Sequence, residues 1–218
     1  MKAITFPIIL YSTILSLVLT PSVYAQPYIE INGNDTTHFS YHEQLKDNYS
    51  VITLSSAKRT EICEVDSNYY CRKWTYKNDN KDISFTANRT LDSIHISGVE
   101  NGKKFSHTIY AGTSPWLQFW EYGISYRLRQ HHSKLNFLSI DANKPNKAAI
   151  FFAKKEEEDI INMGIKKEQT NRVSVTIKGL PSMIFKAKLW FRTVDNTMIK
   201  SQMPQGPFVP ITTIEIKS

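Results

Sequence analysis

The side chains best able to do chemistry do not fall into a reactive pattern. His38 and His42 stand four apart, on one face of a strand, and no carboxylate at a telling spacing completes a metal site with them. His107 alternates with Phe105 and Ile109 and reads as a partly buried sheet histidine, while His131-His132 follows a helical stretch and caps or solvates its end. The paired carboxylates from Glu156 to Asp159 lie in a polar run, which reads as a solvated segment. Gly-x-Ser-x-Gly, His-Glu-x-x-His and a Gly-rich phosphate loop are all missing from the sequence. Its two cysteines, Cys63 and Cys71, have neither a redox nor a zinc spacing. In an oxidising compartment such an isolated pair bridges, adding ~2–3 kcal/mol by restricting the unfolded chain. No catalytic residue, metal or cofactor is therefore assigned, and the sequence reads as that of a non-enzyme.

The aromatic residues are more informative. Thr113-Ser114-Pro115 opens a stretch in which Trp116, Trp120 and Ile124 recur at i, i+4 and i+8. Ser114 suits an N-cap, Pro115 the first helical position, and Gln118 lies near capping-box spacing. Arg127 and Arg129 favour the C-terminal end, and Gly123 weakens the middle. The spacing predicts one helix over Trp116–Leu128, with Trp120 among the most buried side chains and Trp116 more lid-like. Phe119 joins them. Together with Trp74, Phe185, Leu189 and Phe191, these residues would line an apolar cavity able to hold an acyl chain or a lipidated polypeptide.

Strands must position that helix. Val173, Val175 and Ile177 alternate with polar residues, as do Phe185, Ala187, Leu189 and Phe191, then Ile199 and Met203, then Ile214 and Ile216. Period two means one wet face and one buried face. Turn signals at Gly179-Leu-Pro181, Asp195-Asn196 and Pro204 to Pro210 separate the four segments. The first half reads as a second meander, with strands near residues 28–32, 39–43, 51–55, 69–76, 83–87, 94–96 and 105–109. Leu135–Ile140 and Ala148–Ala153 follow the helix, and residues 156–167 form a polar hairpin. We expect a mainly β domain over residues 26–218, with about ten antiparallel strands and one aromatic helix. Ten flat strands would be roughly 50 Å wide, whereas a helix is only ~10 Å across. The sheet must therefore curl around the helix as an unclosed barrel, leave a hollow, or both.

Phe6 to Leu19 is an apolar run after Lys2, followed by Val23-Tyr24-Ala25. Residues 1–25 read as a signal peptide cleaved before Gln26, so the product is periplasmic or secreted. Without Lys2 the net charge is +6, which suits anionic lipid headgroups or cell-wall polymer. Lys and Arg do not cluster among aromatics, and Lys154-Lys155 is offset by Glu156 to Glu158, so nucleic acid is not an expected partner. We expect a monomer.

The order of these elements, with Pro115-Trp-Leu-Gln-Phe-Trp120, then Leu189-Trp-Phe-Arg-Thr-Val-Asp-Asn196 and a final Ile211 to Ile216, resembles a domain-of-unknown-function family of bacterial exported proteins. That family is related to the LolA-like lipoprotein-carrier fold. The resemblance covers most of residues 40–217. Arg72-Lys73-Trp74-Thr75-Tyr76 is loosely similar to the carriers' Arg-Trp-x-Tyr strand, with Lys73 intervening. The resemblance implies an unclosed barrel with a helical lid and a habit of binding apolar ligands, not a reaction. The expected function is non-enzymatic binding of a hydrophobic molecule. The alternative is a structural or interaction protein of the envelope.

Overall fold

A computed structural model describes residues 24–164, 166–204 and 211–217. Most of the expected signal peptide, residues 1–23, lies outside them. Among the described residues fourteen strands, not about ten, form one antiparallel sheet. They are β1 (Tyr24–Asn32), β2 (Asp35–Leu45), β3 (Ser50–Ser56), β4 (Arg59–Val65), β5 (Cys71–Asn78), β6 (Ile83–Thr90), β7 (Ser93–Glu100) and β8 (Lys103–Tyr110). After the helix α1 (Trp120–Arg129) come β9 (Lys134–Ile140), β10 (Ala148–Met163), β11 (Lys166–Ile177), β12 (Lys186–Arg192), β13 (Met198–Met203) and β14 (Thr212–Ile216). The strand that the pattern hid is β4. Its inward positions are Glu61, Cys63 and Val65, while Ile62 faces out. A carboxylate inside and an isoleucine outside invert the signal on which periodicity depends.

Strand order is β8-β7-β6-β5-β4-β3-β2-β1-β14-β13-β12-β11-β10-β9. Each meander pairs neighbour with neighbour, and the two are stitched where β1 meets β14, from Tyr28↔Ile216 to Ile31↔Thr213. The ends of the sheet, β8 and β9, flank α1 in the chain. The sheet is curled, because one helical segment touches strands far apart in its order. The Phe119 and Tyr122 rings each lie 5.6 Å from Tyr41 on β2. The Trp120 ring lies 5.4 Å from Phe137 on β9 and 4.6 Å from Phe151 on β10.

The helix begins at Trp120, not at Trp116. Residues 115–118 are extended along the edge of β9 instead. Leu138 N–H donates to the Pro115 carbonyl at 2.7 Å and Leu117 N–H to the Leu138 carbonyl at 2.9 Å. The Gln118 side-chain amide continues the ladder, donating to the Ile140 carbonyl and accepting from Ile140 N–H. An open sheet edge offers unpaired backbone groups, and satisfying them outweighs one further turn of helix. The same segment reaches the other half, since Cys71 N–H donates to the Trp116 carbonyl at 2.7 Å. Arg89 on β6 donates to the carbonyls of Gly112 and Ser114. Residues 112–118 thus bridge the gap between the two ends of the sheet.

Cys63 and Cys71, both buried, form a disulfide between β4 and β5 with Cα atoms 6.3 Å apart. The expected 156–167 hairpin is present as the far half of β10 and the start of β11, with an irregular register between Lys155 and Glu158.

Candidate ligand site

Four of the seven aromatic and apolar residues expected to line a cavity are fully buried. Trp74, Trp116, Leu189 and Phe191 have no exposed surface. Trp74 packs edge-on to Phe85 at 4.9 Å and donates its indole N–H to Glu61 Oε2 at 3.1 Å. Trp120 is only partly buried, its indole N–H donating to Ser139 Oγ at 3.1 Å. The expected order of the two tryptophans is therefore reversed. Trp116 lies inward because the edge bridge to Leu138 pins its backbone against β9, whereas Trp120 is the first residue of the helix and packs on Phe137 and Phe151.

Phe119 and Trp120 border a hollow of about 240 Å³, with Leu54, Ile140, Met198, Met203 and Ile214 supplying further apolar wall. Phe185 does not border it, but lies 5.8 Å from Phe151, which contacts Trp120. Tyr41, Arg59, Glu61 and Glu121 form the ionisable part of the polar wall, beside Gln118 and Ser139, and the spacing of motifs singled out none of these four. The one available signal was Glu61, at an inward position of an alternating stretch.

Glu61 and Tyr41 in this wall are buried, and Arg59 and Glu121 are partly exposed. Arg59 stands 3.5 Å from Glu61 Oε1 through Nε and 3.3 Å from Glu30 Oε2 through Nη2. Burial pushes the Glu61 carboxyl up, against the opposing pull of Arg59 and the Trp74 indole. Glu121 keeps some exposure as a residue, yet its Oε1 is sealed from solvent and has no hydrogen-bond partner. Burial pushes its carboxyl up to about 7, while the Tyr41 phenol favours the ionised form. A carboxyl poised this way accepts or donates a hydrogen bond according to its protonation state. Glu121 and Met198 also border a second hollow of about 260 Å³, with Tyr28, Glu43, Tyr122 and Arg129. There Tyr69 donates to Glu43 Oε1 at 2.8 Å, and burial pushes the Tyr69 phenol up to about 12.

The histidines take no part in this wall. His42 Nε2 lies 3.2 Å from Ser40 Oγ, His107 stacks on Phe105 at 5.3 Å, and the backbone N–H groups of His131 and His132 close the end of α1. Among the described residues, no three His, Cys, Asp or Glu side chains are grouped to hold a metal.

No protein-family model and no curated protein matches the sequence. Among solved structures, the chain is similar to the crystal structure of a beta-barrel-like protein of domain of unknown function DUF1849 from Brucella abortus. The TM-score is 0.58 at 6% identity, covering 90% of this chain and 98% of that one. At that identity the likeness concerns the fold: a mainly β, unclosed, barrel-like sheet.

Proposed function

We propose that this chain is an exported, non-enzymatic binder of a hydrophobic molecule, held at the hollow beside the first turn of α1. The observation that carries this reading is the combination there of an apolar wall with an unpartnered, sealed carboxyl oxygen on Glu121. Apolar surface supplies affinity, and a few placed polar groups fix orientation. About 240 Å³ is below the roughly 300–1,000 Å³ of a typical small-molecule site. The fitting ligand is then one acyl chain end, or the lipid of a lipidated polypeptide, with a polar head at Arg59, Glu61 or Glu121. Phe119 and Trp120 are the walls that move. Phe185 is their support through Phe151, and Trp74, Trp116, Leu189 and Phe191 are the rigid backing.

Export is supported by the apolar stretch before Gln26 and by the Cys63–Cys71 bridge, which suits an oxidising compartment such as the periplasm. Kinship with the lipoprotein-carrier fold belongs to the same proposal. The test is native mass spectrometry of the exported protein, followed by titration with an environment-sensitive apolar dye. A bound lipid, or dye binding lost in Met203→Trp, agrees with the reading. Absence of both from correctly folded protein refutes it.

A second reading, an interaction protein of the envelope, draws on β8. This outermost strand has no neighbour on one side among the described residues, and such an edge can accept a strand from another chain. Stoichiometric capture of one envelope protein, lost when a proline is placed in β8, would favour it.

A further inference from the structure

We propose that the rim carrying the β9–β10 and β11–β12 connections docks onto an anionic lipid bilayer surface. The registers Ala148↔Ile140, Phe151↔Ile177 and Thr176↔Lys186 place both connections at one end of the sheet. Met203↔Thr212 brings the start of β14 to the same end. The β11–β12 connection holds apolar side chains outward: Met183 is 91% exposed, Ile184 54% and Leu180 46%. Ile211, at the start of β14, is 55% exposed.

This loop is built rather than frayed. Gly179 has φ +87, a conformation that glycine tolerates. Ile184 N–H donates to the Pro181 carbonyl at 2.9 Å, and Lys178 N–H to the Ile150 carbonyl at 2.8 Å. A hydrogen-bonded turn that keeps methionine and isoleucine in water needs an apolar destination.

Charge selects that destination. Residues 142–147 and 178–188 contain five lysines (Lys144, Lys147, Lys178, Lys186 and Lys188) and no acid. Lys186 is engaged by Glu156 at 2.9 Å, and Asp141 is an acid just outside the first stretch. That leaves four exposed cations, Lys144 and Lys147 on the β9–β10 connection, Lys178 at the start of the β11–β12 connection and Lys188 near the start of β12. Apolar side chains ringed by lysines match the boundary between anionic headgroups and acyl chains. The aromatic run Phe185–Phe151–Trp120 then leads from the docked loop to the wall of the hollow, although docking does not depend on a ligand in that hollow.

The test uses the protein recovered after export and cosedimentation with vesicles of phosphatidylglycerol and phosphatidylethanolamine, against vesicles of phosphatidylcholine alone. The expected result is sedimentation with the anionic vesicles only. Each of Lys144→Ala, Lys147→Ala and Lys178→Ala should lower it roughly fivefold at low salt, since a lysine near an anionic surface is worth ~1 kcal/mol. Met183→Asp/Ile184→Asp should lower it roughly tenfold or more at any salt. Because these side chains are exposed, melting temperatures should stay unchanged. A Met183→Trp reporter should shift its emission to the blue on anionic vesicles. Equal sedimentation with both vesicle types, or full sedimentation of the Met183/Ile184 variant, overturns the proposal. So does a concentration-dependent dimer that the same variant abolishes, which would assign the loop to a second copy. No ligand enters the assay, so its failure is separate from failure of the ligand reading.

Discussion

Replacing Glu121 by glutamine should make the protein more stable above neutral pH and leave it little changed below pH 5. The folded carboxyl is held near 7 against an ordinary value of 4.5, with burial the largest cause. For a group raised in the fold, the native state binds more protons than the unfolded state between those two values. Stability therefore falls as pH rises through that window. At about 1.4 kcal/mol for each pH unit separating the two values, the penalty reaches ~3 kcal/mol above pH 7 and is absent below about pH 4.5. Glutamine keeps the shape and cannot ionise. Its own cost of amide burial is the same at every pH, so the pH dependence of the difference is the readout. Urea unfolding of both proteins from pH 5 to pH 8 measures it. The wild type should lose stability relative to Glu121→Gln by ~2–3 kcal/mol across that range. Parallel curves would refute the claim that Glu121 is sealed beside the hollow. Tyr41→Phe removes the phenol that favours the carboxylate and should steepen the wild-type slope.

Trp116→Ala should cost about 3–5 kcal/mol as a fully buried aromatic, and Trp120→Ala about half that, because Trp120 keeps solvent contact while altering dye binding. Equal losses in urea titrations would contradict the assigned order of burial. Gly98→Ala should cost about 2–3 kcal/mol, since a Cβ there would meet the Ser84 carbonyl oxygen and stand 2.5 Å from Phe85 Cβ. An unchanged melting temperature would contradict that packing. Glu156 is lowered to about 2, chiefly by its hydrogen bond from Lys186, so its stabilisation is present above pH 4.5 and fades as pH falls towards 2. Glu156→Gln should then be less stable than wild type at pH 6, with the gap closing in acid. Alkylation of the exported, unreduced protein should find no free thiol at Cys63 or Cys71, and two modified cysteines would sink the bridge.

Alternation made most of the sheet legible, because β3, β6 and β7 alternate buried with more exposed residues over much of their length. It failed at β4, where the buried partner of Arg59 and Trp74 is a glutamate. The helix was legible as an element but not in its start. The competing partner for residues 115–118 is β9, and a pairing with Leu138 and Ile140 leaves no local mark in Pro115-Trp-Leu-Gln. The tryptophan order was lost with it, since one extended residue turns the Trp116 side chain away from the stripe that helical spacing assigns. The polar wall was illegible for a related reason. Arg59 and Glu61 are neighbours on β4, but Glu121 comes from α1, and only the curl of the sheet brings it beside them.

That curl also decides where the hollow can open. The two meanders cannot part at their seam cheaply, because β1 is hydrogen-bonded to β2 on one side and β14 on the other. Removal of residues before Gln26 would leave Tyr28 to Ile31 paired with both neighbours. On the opposite side, β9 is covered by residues 115–118, with the Gln118 amide standing in for a backbone group. The ties weaken just beyond that point. Phe119 caps α1 with no side-chain hydrogen bond, and the first-turn bond from Gly123 N–H to the Phe119 carbonyl is long, at 3.3 Å. Helix termini with unsatisfied N–H groups are the first to open. This turn carries Trp120 and Glu121, the aromatic and the carboxyl that border the hollow. Loosening it would enlarge the apolar space and bring the sealed carboxyl oxygen into contact with whatever enters, while the fourteen-stranded ladder stays intact.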